Sequence, residues 1–182
     1  ISKQQYTRRF TELDQRGYVW KDKVYAQLVQ EFALTTITSE QLLEDYVQHF
    51  KYSCVAFPNL IEMLATLKRA GYKLGMITNG FGQFQMDNIR ALQIESFFDV
   101  ILVSEWEGLK KPDARIFLKA LEQLQVAPSE SVFVGDHPEN DVKAARYVGM
   151  NGVWKKDAGW HDVLADAVIE DLLELLPVLE TF

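Results

Sequence analysis

Three groups of polar residues, each lying just after an apolar run, carry the chemistry this sequence can offer. The first is the pair Asp136 and Asp141. Asp136 directly follows Ser131-Val132-Phe133-Val134-Gly135, and Asp141 falls in the first turn of the helical stretch beyond it. The loop between them, His137-Pro138-Glu139-Asn140, is short enough to fold both carboxylates over one strand end. Converging carboxylates repel unless a cation lies between them. An all-oxygen ligand set suits Mg2+, which keeps several waters and shares its shell with phosphate. Asp141 also has a structural alternative, as a negative charge at the positive end of a helix.

The second group is Thr78-Asn79-Gly80, after the run Lys73-Leu74-Gly75-Met76-Ile77. A hydroxyl and an amide at a strand end, followed by glycine and a helix start, suit an oxyanion or phosphate. The same residues also serve as a cap and turn. Gly80-Phe81-Gly82 opens like a dinucleotide-binding loop, but Gln85 stands where the third glycine is required. The third group is Lys110-Lys111-Pro112, beyond the run Asp99-Val100-Ile101-Leu102-Val103. A lysine there is a compact charge for a phosphate or for the carboxylates. Taken alone, such a pair is ordinary solvated surface.

The elements that must position these groups are legible in the periodicity. Residues 1 to about 56 read as helical throughout, with Tyr6, Phe10 and Leu13 on one face and Val24, Leu28 and Phe32 on another. Thr38-Ser39-Glu40 supplies caps for a third helix carrying Leu42, Leu43, Tyr46 and Val47. After Phe57-Pro58-Asn59 the texture changes to four short apolar runs alternating with helices, the last run being Gly152-Val153-Trp154. Such alternation predicts a parallel sheet with helices on both faces. Ligands then bind beyond the carboxyl ends of the strands, where the three polar groups lie.

Composition bounds the function. The chain has 182 residues, is 48% hydrophobic and 25% charged, and reads as one globular domain or one with a small insert. The formal net charge of −7 gives no general attraction to nucleic-acid backbones and no polybasic membrane anchor. It leaves room for a local basic pocket and a small phosphate. No apolar run approaches the roughly 20 residues of a membrane span. The single cysteine, Cys54, excludes an intrachain disulfide and points to a reducing, cytoplasmic setting; the expectation for it is a small buried hydrophobe.

In this order, Ile77-Thr78-Asn79-Gly80, Lys111-Pro112 after Glu107-Gly108, and Gly135-Asp136 through Asp141 resemble the second, third and fourth motifs of the haloacid dehalogenase-like hydrolase superfamily. Phe57-Pro58-Asn59 resembles the family's entry into its core domain. The resemblance implies an α/β fold, a Rossmann-like parallel sheet with helices on both faces plus a small all-helical cap domain. Residues 1–56 correspond to the cap and 57–182 to the core. It implies that Thr78 hydrogen-bonds the transferring phosphoryl group and that Asn79 and Gly80 help orient substrate. Lys111 offsets charge on nucleophile and phosphate. Asp136 ligates Mg2+ directly, and Asp141 acts on the metal through water or holds Lys111.

The acidic fourth motif favours a metal-dependent phosphohydrolase of a small phosphorylated metabolite over haloacid cleavage. A phosphomutase of the same fold and a non-catalytic binding module are the alternatives. The family's first motif, an Asp-x-Asp pair after a central strand, has no counterpart here. Glu12-Leu13-Asp14 has the spacing but lies in a helix and begins with Glu. The expectation is therefore a core lacking its first strand, with the nucleophile on a strand upstream of these residues. A complete sheet built from these residues alone would contradict it. Arg8, Arg9, Tyr18, Trp20 and Lys21 are candidates for a polar and aromatic lid, their alternative being solvated arginines and packed rings.

Overall fold

The computed structural model describes all residues, Ile1–Phe182. The chain divides into two compact units, Ile1–Ser53 and Cys54–Phe182, where the sequence places the change of texture at Phe57.

The first unit is three helices, α1 (Lys3–Asp14), α2 (Lys21–Glu31) and α3 (Ser39–His49). Ser2 with Gln5 and Thr38 with Gln41 form capping boxes, so two starts are fixed by local chemistry. Val24, Tyr25 and Leu28 of α2 are buried against Tyr6, Phe10 and Leu13 of α1 and Leu42, Leu43 and Tyr46 of α3. This is the helical spacing of the sequence turned into one small core.

The second unit continues with α4 (Leu60–Arg69), β1 (Gly75–Thr78), α5 (Gly82–Ala91) and β2 (Val100–Val103). Then come the short α6 (Ser104–Glu107), α7 (Ala114–Leu124) and β3 (Val132–Gly135). A π-helical turn over Pro138–Lys143 runs into α8 (Ala144–Tyr147). β4 (Asn151–Lys155), β5 (Ala167–Ile169) and α9 (Leu175–Leu179) complete it. β5 is the one strand the apolar-run reading missed.

All strand pairs are parallel, but they form two sheets, β1-β2 and β3-β4-β5. Side chains alternate between two faces, as the period-2 geometry of strands requires. Met76, Ile101, Val103, Val132, Val134 and Val153 face a core built with α4, α5 and α9. Ile77, Val100, Leu102 and Phe133 face the other way, toward Ile116, Phe117 and Ala120 of α7 and Ala144 and Ala145 of α8. Each core draws residues from β1, β2 and β3, so the two sheets share one pair of helical layers. Between them lies a cavity of about 700 Å³. Met76 and Ile77 of β1 line one side and Val132, Phe133 and Val134 of β3 the other. β1 pairs only with β2 and β3 only with β4, so each leaves an open edge.

Candidate active site

The polar groups singled out in the sequence meet at the carboxyl ends of β1 and β3. Lys111, Gly135, Asp136 and Asp141 all line the cavity described above. Asp141 is buried, 3% exposed, on the π-helical turn beyond β3. Its Oδ1 accepts from Lys111 Nζ at 2.6 Å and its Oδ2 accepts from the backbone N–H of His137 at 3.0 Å. Gly135 makes this possible: a Cβ there would stand 2.4 Å from the Asp141 Cβ, so only glycine lets the carboxylate lie against the strand end. The Lys111 ammonium also sits 5.3 Å from the centre of the Phe133 ring, within cation–π range.

Both Asp141 oxygens are thus engaged, and of the two roles the resemblance implied for Asp141, this geometry is the one that holds Lys111. Asp136 differs. Its backbone carbonyl accepts from the Trp154 indole N–H at 2.9 Å, but its carboxylate is exposed and makes no hydrogen bond or ion pair. His137 is structural here: its Nδ1 accepts from the N–H groups of Glu139 and Asn140 and caps the turn.

At the end of β1, Thr78 donates its hydroxyl to Gln85 Oε1 at 3.1 Å. Gly80 donates its N–H to the Ser104 hydroxyl at 2.9 Å and adopts φ +146°, open to glycine. The helix start after it was expected to receive an anion, and a carboxylate of the chain itself is there: Glu105 Oε2 accepts from Gly82 N–H at 2.7 Å. Asn79 uses its amide on a backbone. Its Nδ2 donates to the carbonyl of Lys111, and its Oδ1 accepts from the Lys111 N–H, both at 2.9 Å. The sequence reading gave Ser104 and Glu105 no role and noted Gln85 only as standing in place of a glycine. Their one signal was position, two after β2 and one on the first turn of α5.

The lid candidates are mostly committed within the helical unit. Arg9 places its guanidinium fork on Glu31, at 2.7 Å from each oxygen, and also on Glu12. That pairing pulls the Glu31 carboxyl down to about 2. Lys21 is buried, paired with Asp14 and 5.5 Å from the Tyr46 ring, so it is a packing residue and not a lid. Tyr18, with a packed ring as one of its expectations, is half exposed, and Trp20 packs edge-on to Tyr46. Cys54 is only partly buried and contacts Asn88; burial pushes its thiol up. No helix is long and apolar enough to cross a membrane.

A layered α/β unit with these residues at its strand ends defines a class. The chain belongs to the haloacid dehalogenase-like hydrolases, whose family profile matches residues 1–155. Among individual proteins, it is 39% identical over 129 residues to a glyceraldehyde 3-phosphate phosphatase of Pyrococcus furiosus, covering 68% of this chain and 54% of that one. It is 30% identical over 135 residues to a phosphoserine phosphatase of Thermus thermophilus, covering 74% of this chain and 54% of the relative. The chain therefore spans about half the length of these curated relatives. In fold it is similar to the hydrolase YfnB of Bacillus subtilis, solved bound to magnesium, with a TM-score of 0.81 at 21% identity over 98% of this chain and 84% of that one.

Proposed function

We propose that this chain supplies most of the active site of a Mg2+-dependent phosphohydrolase acting on a small phosphorylated metabolite, with the nucleophilic carboxylate on a strand that fills the cavity between the two sheets. The observation that carries this reading is the Lys111–Asp141 ion pair beside the unpaired carboxylate of Asp136, at the mouth of a slot flanked by two open strand edges. Phosphoryl transfer needs positioning and fixed positive charge more than covalent chemistry from the protein. Lys111 is a half-buried cation held in place by a buried anion. Parallel strands do not leave facing edges open in a packed interior without cost, since their N–H and C=O groups go unpaired.

The donor set fits Mg2+ in kind. Asp136 offers a hard oxygen ligand that nothing else engages, and Mg2+ needs only one or two carboxylates beside waters and phosphate. Asp136 would hold it, with the carboxylate of the inserted strand as second ligand. Bound there, Mg2+ neutralises charge on the phosphoryl oxygens. No group of three or more His, Cys, Asp or Glu side chains stands ready on this chain, consistent with a site shared with another strand.

In the reaction, the carboxylate oxygen of the inserted strand attacks phosphorus and the ester P–O bond breaks, giving an aspartyl-phosphate and an alcohol that takes up a proton. Water then cleaves the acyl phosphate, releasing inorganic phosphate and restoring the carboxylate. Lys111 holds a positive charge against both through each step. Thr78, once its hydroxyl turns from Gln85, donates to a phosphoryl oxygen. The two curated relatives are named for different small phosphate monoesters, which supports the substrate class and leaves the particular ester to experiment.

The test is phosphate release by the full-length protein from glyceraldehyde 3-phosphate and phosphoserine with Mg2+. Asp136→Asn is expected to lower kcat by about a hundredfold or more, and chelation of the metal to do the same. Full activity in either case would overturn the metal assignment.

A further inference from the structure

We propose that Asn79 is a positioning residue that holds Lys111 across the gap between the two sheets; this rests on the reading of Lys111 above. The backbone of Lys111 makes only two hydrogen bonds, and both go to the Asn79 amide: Nδ2 to the Lys111 carbonyl and Oδ1 from the Lys111 N–H, each 2.9 Å. The next residue, Pro112, has no N–H to add. The complementary donor and acceptor fix the amide orientation, since a flipped amide would face oxygen to oxygen. At its other end the lysine reaches Asp141 at 2.6 Å.

Asn79 stands just after β1, in one sheet, and Asp141 just after β3, in the other. Lys111 is thus tied by its main chain to one side of the slot and by its ammonium to the other. A flexible four-carbon stem has much rotamer freedom, so a charge at its tip is placed well only where the backbone beneath it is fixed. Asn79 fixes that backbone. It works through Lys111 and not by touching the reacting phosphate, whereas the family resemblance implied for it a part in orienting substrate.

The experiment is a double-mutant cycle on phosphate release by the full-length protein with Mg2+, using Asn79→Ala, Lys111→Ala and the pair. Losing two hydrogen bonds should lower kcat of Asn79→Ala about tenfold, with KM changed less than about twofold. In the Lys111→Ala background the same change should have almost no further effect, because residues acting as a unit are not additive. An equal loss in both backgrounds, or no loss in either, overturns the role of Asn79. If Lys111→Ala itself leaves kcat unchanged, the underlying assignment of Lys111 has failed instead.

Asn79→Asp guards against a variant that fails to fold. It keeps the acceptor for the Lys111 N–H and sets an oxygen against the Lys111 carbonyl, so it should show an intermediate or full loss with the same non-additivity. Amide exchange on the 182-residue chain gives a readout free of turnover. The Lys111 N–H should exchange about tenfold faster in Asn79→Ala, while the β1 amides stay protected. An unchanged Lys111 rate contradicts the clamp.

Discussion

Lys111 and Asp141 show how much a single pair asks of its neighbours. Both side chains are largely buried, at 14% and 5% exposure, so each charge depends on the other. The pair exists because Gly135 has no side chain. Gly135→Ala is expected to force Asp141 aside and to lower stability by about 1–3 kcal/mol, the usual cost of overpacking a tight site. Urea denaturation of the 182-residue chain measures it, and an unchanged midpoint would mean that Asp141 can be displaced freely. Asp141, Lys111 and Asp136 were all legible in the sequence, because each follows an apolar run. The partners that hold Thr78, Gly80 and Gly82 were not. Gln85, Ser104 and Glu105 are ordinary polar residues on the helices that follow β1 and β2, and they gain a role only from the loop after β1 that they meet, which residue type along the chain does not record.

At the scale of elements, four of the strands were found because their short apolar runs alternate with helices that have clear faces. β5 was missed because it follows β4 through residues 156–166, which form no helix, so the alternation of strand and helix breaks there. The start of the first sheet is braced by Asp99, just before β2. Its carboxylate accepts from Lys68 Nζ at the end of α4, at 2.9 Å, and from the Leu74 N–H, at 2.8 Å. Those bonds, Lys68 first and the backbone second, hold its carboxyl below the ordinary range. A depressed folded-state value means stability that is present above the unfolded value, about 3.9, and is lost as pH falls through the folded one. Asp99→Asn should therefore lower Tm at pH 7, with the gap from the unsubstituted chain closing below about pH 4. A gap that stays constant down to pH 2.5, roughly, would show that the ionised carboxylate is not what braces the sheet. Because Asp99 is partly exposed, solvent screens the pair and the shift should be small.

At the scale of the molecule, two sheets share the same helical layers around a slot lined by apolar side chains and open strand edges. Every assigned chemical group of this chain stands at one end of that slot. On the proposed reading, the group these residues do not supply is a carboxylate aimed at phosphorus from between β1 and β3. The sequence carries no Asp-x-Asp pair after a strand, which set the expectation of a strand from outside these residues; the shape of the gap was not legible, because a sequence does not state which strands lie side by side. The most direct measurement is Mg2+-dependent phosphate release by the 182-residue chain, compared with the same chain extended at its N-terminus by a strand that ends in Asp-x-Asp. The expected result is no turnover above background for the 182 residues alone and enzymatic turnover for the longer protein. Turnover at the same rate by the 182-residue chain would contradict the view that the nucleophile comes from a strand seated in the slot.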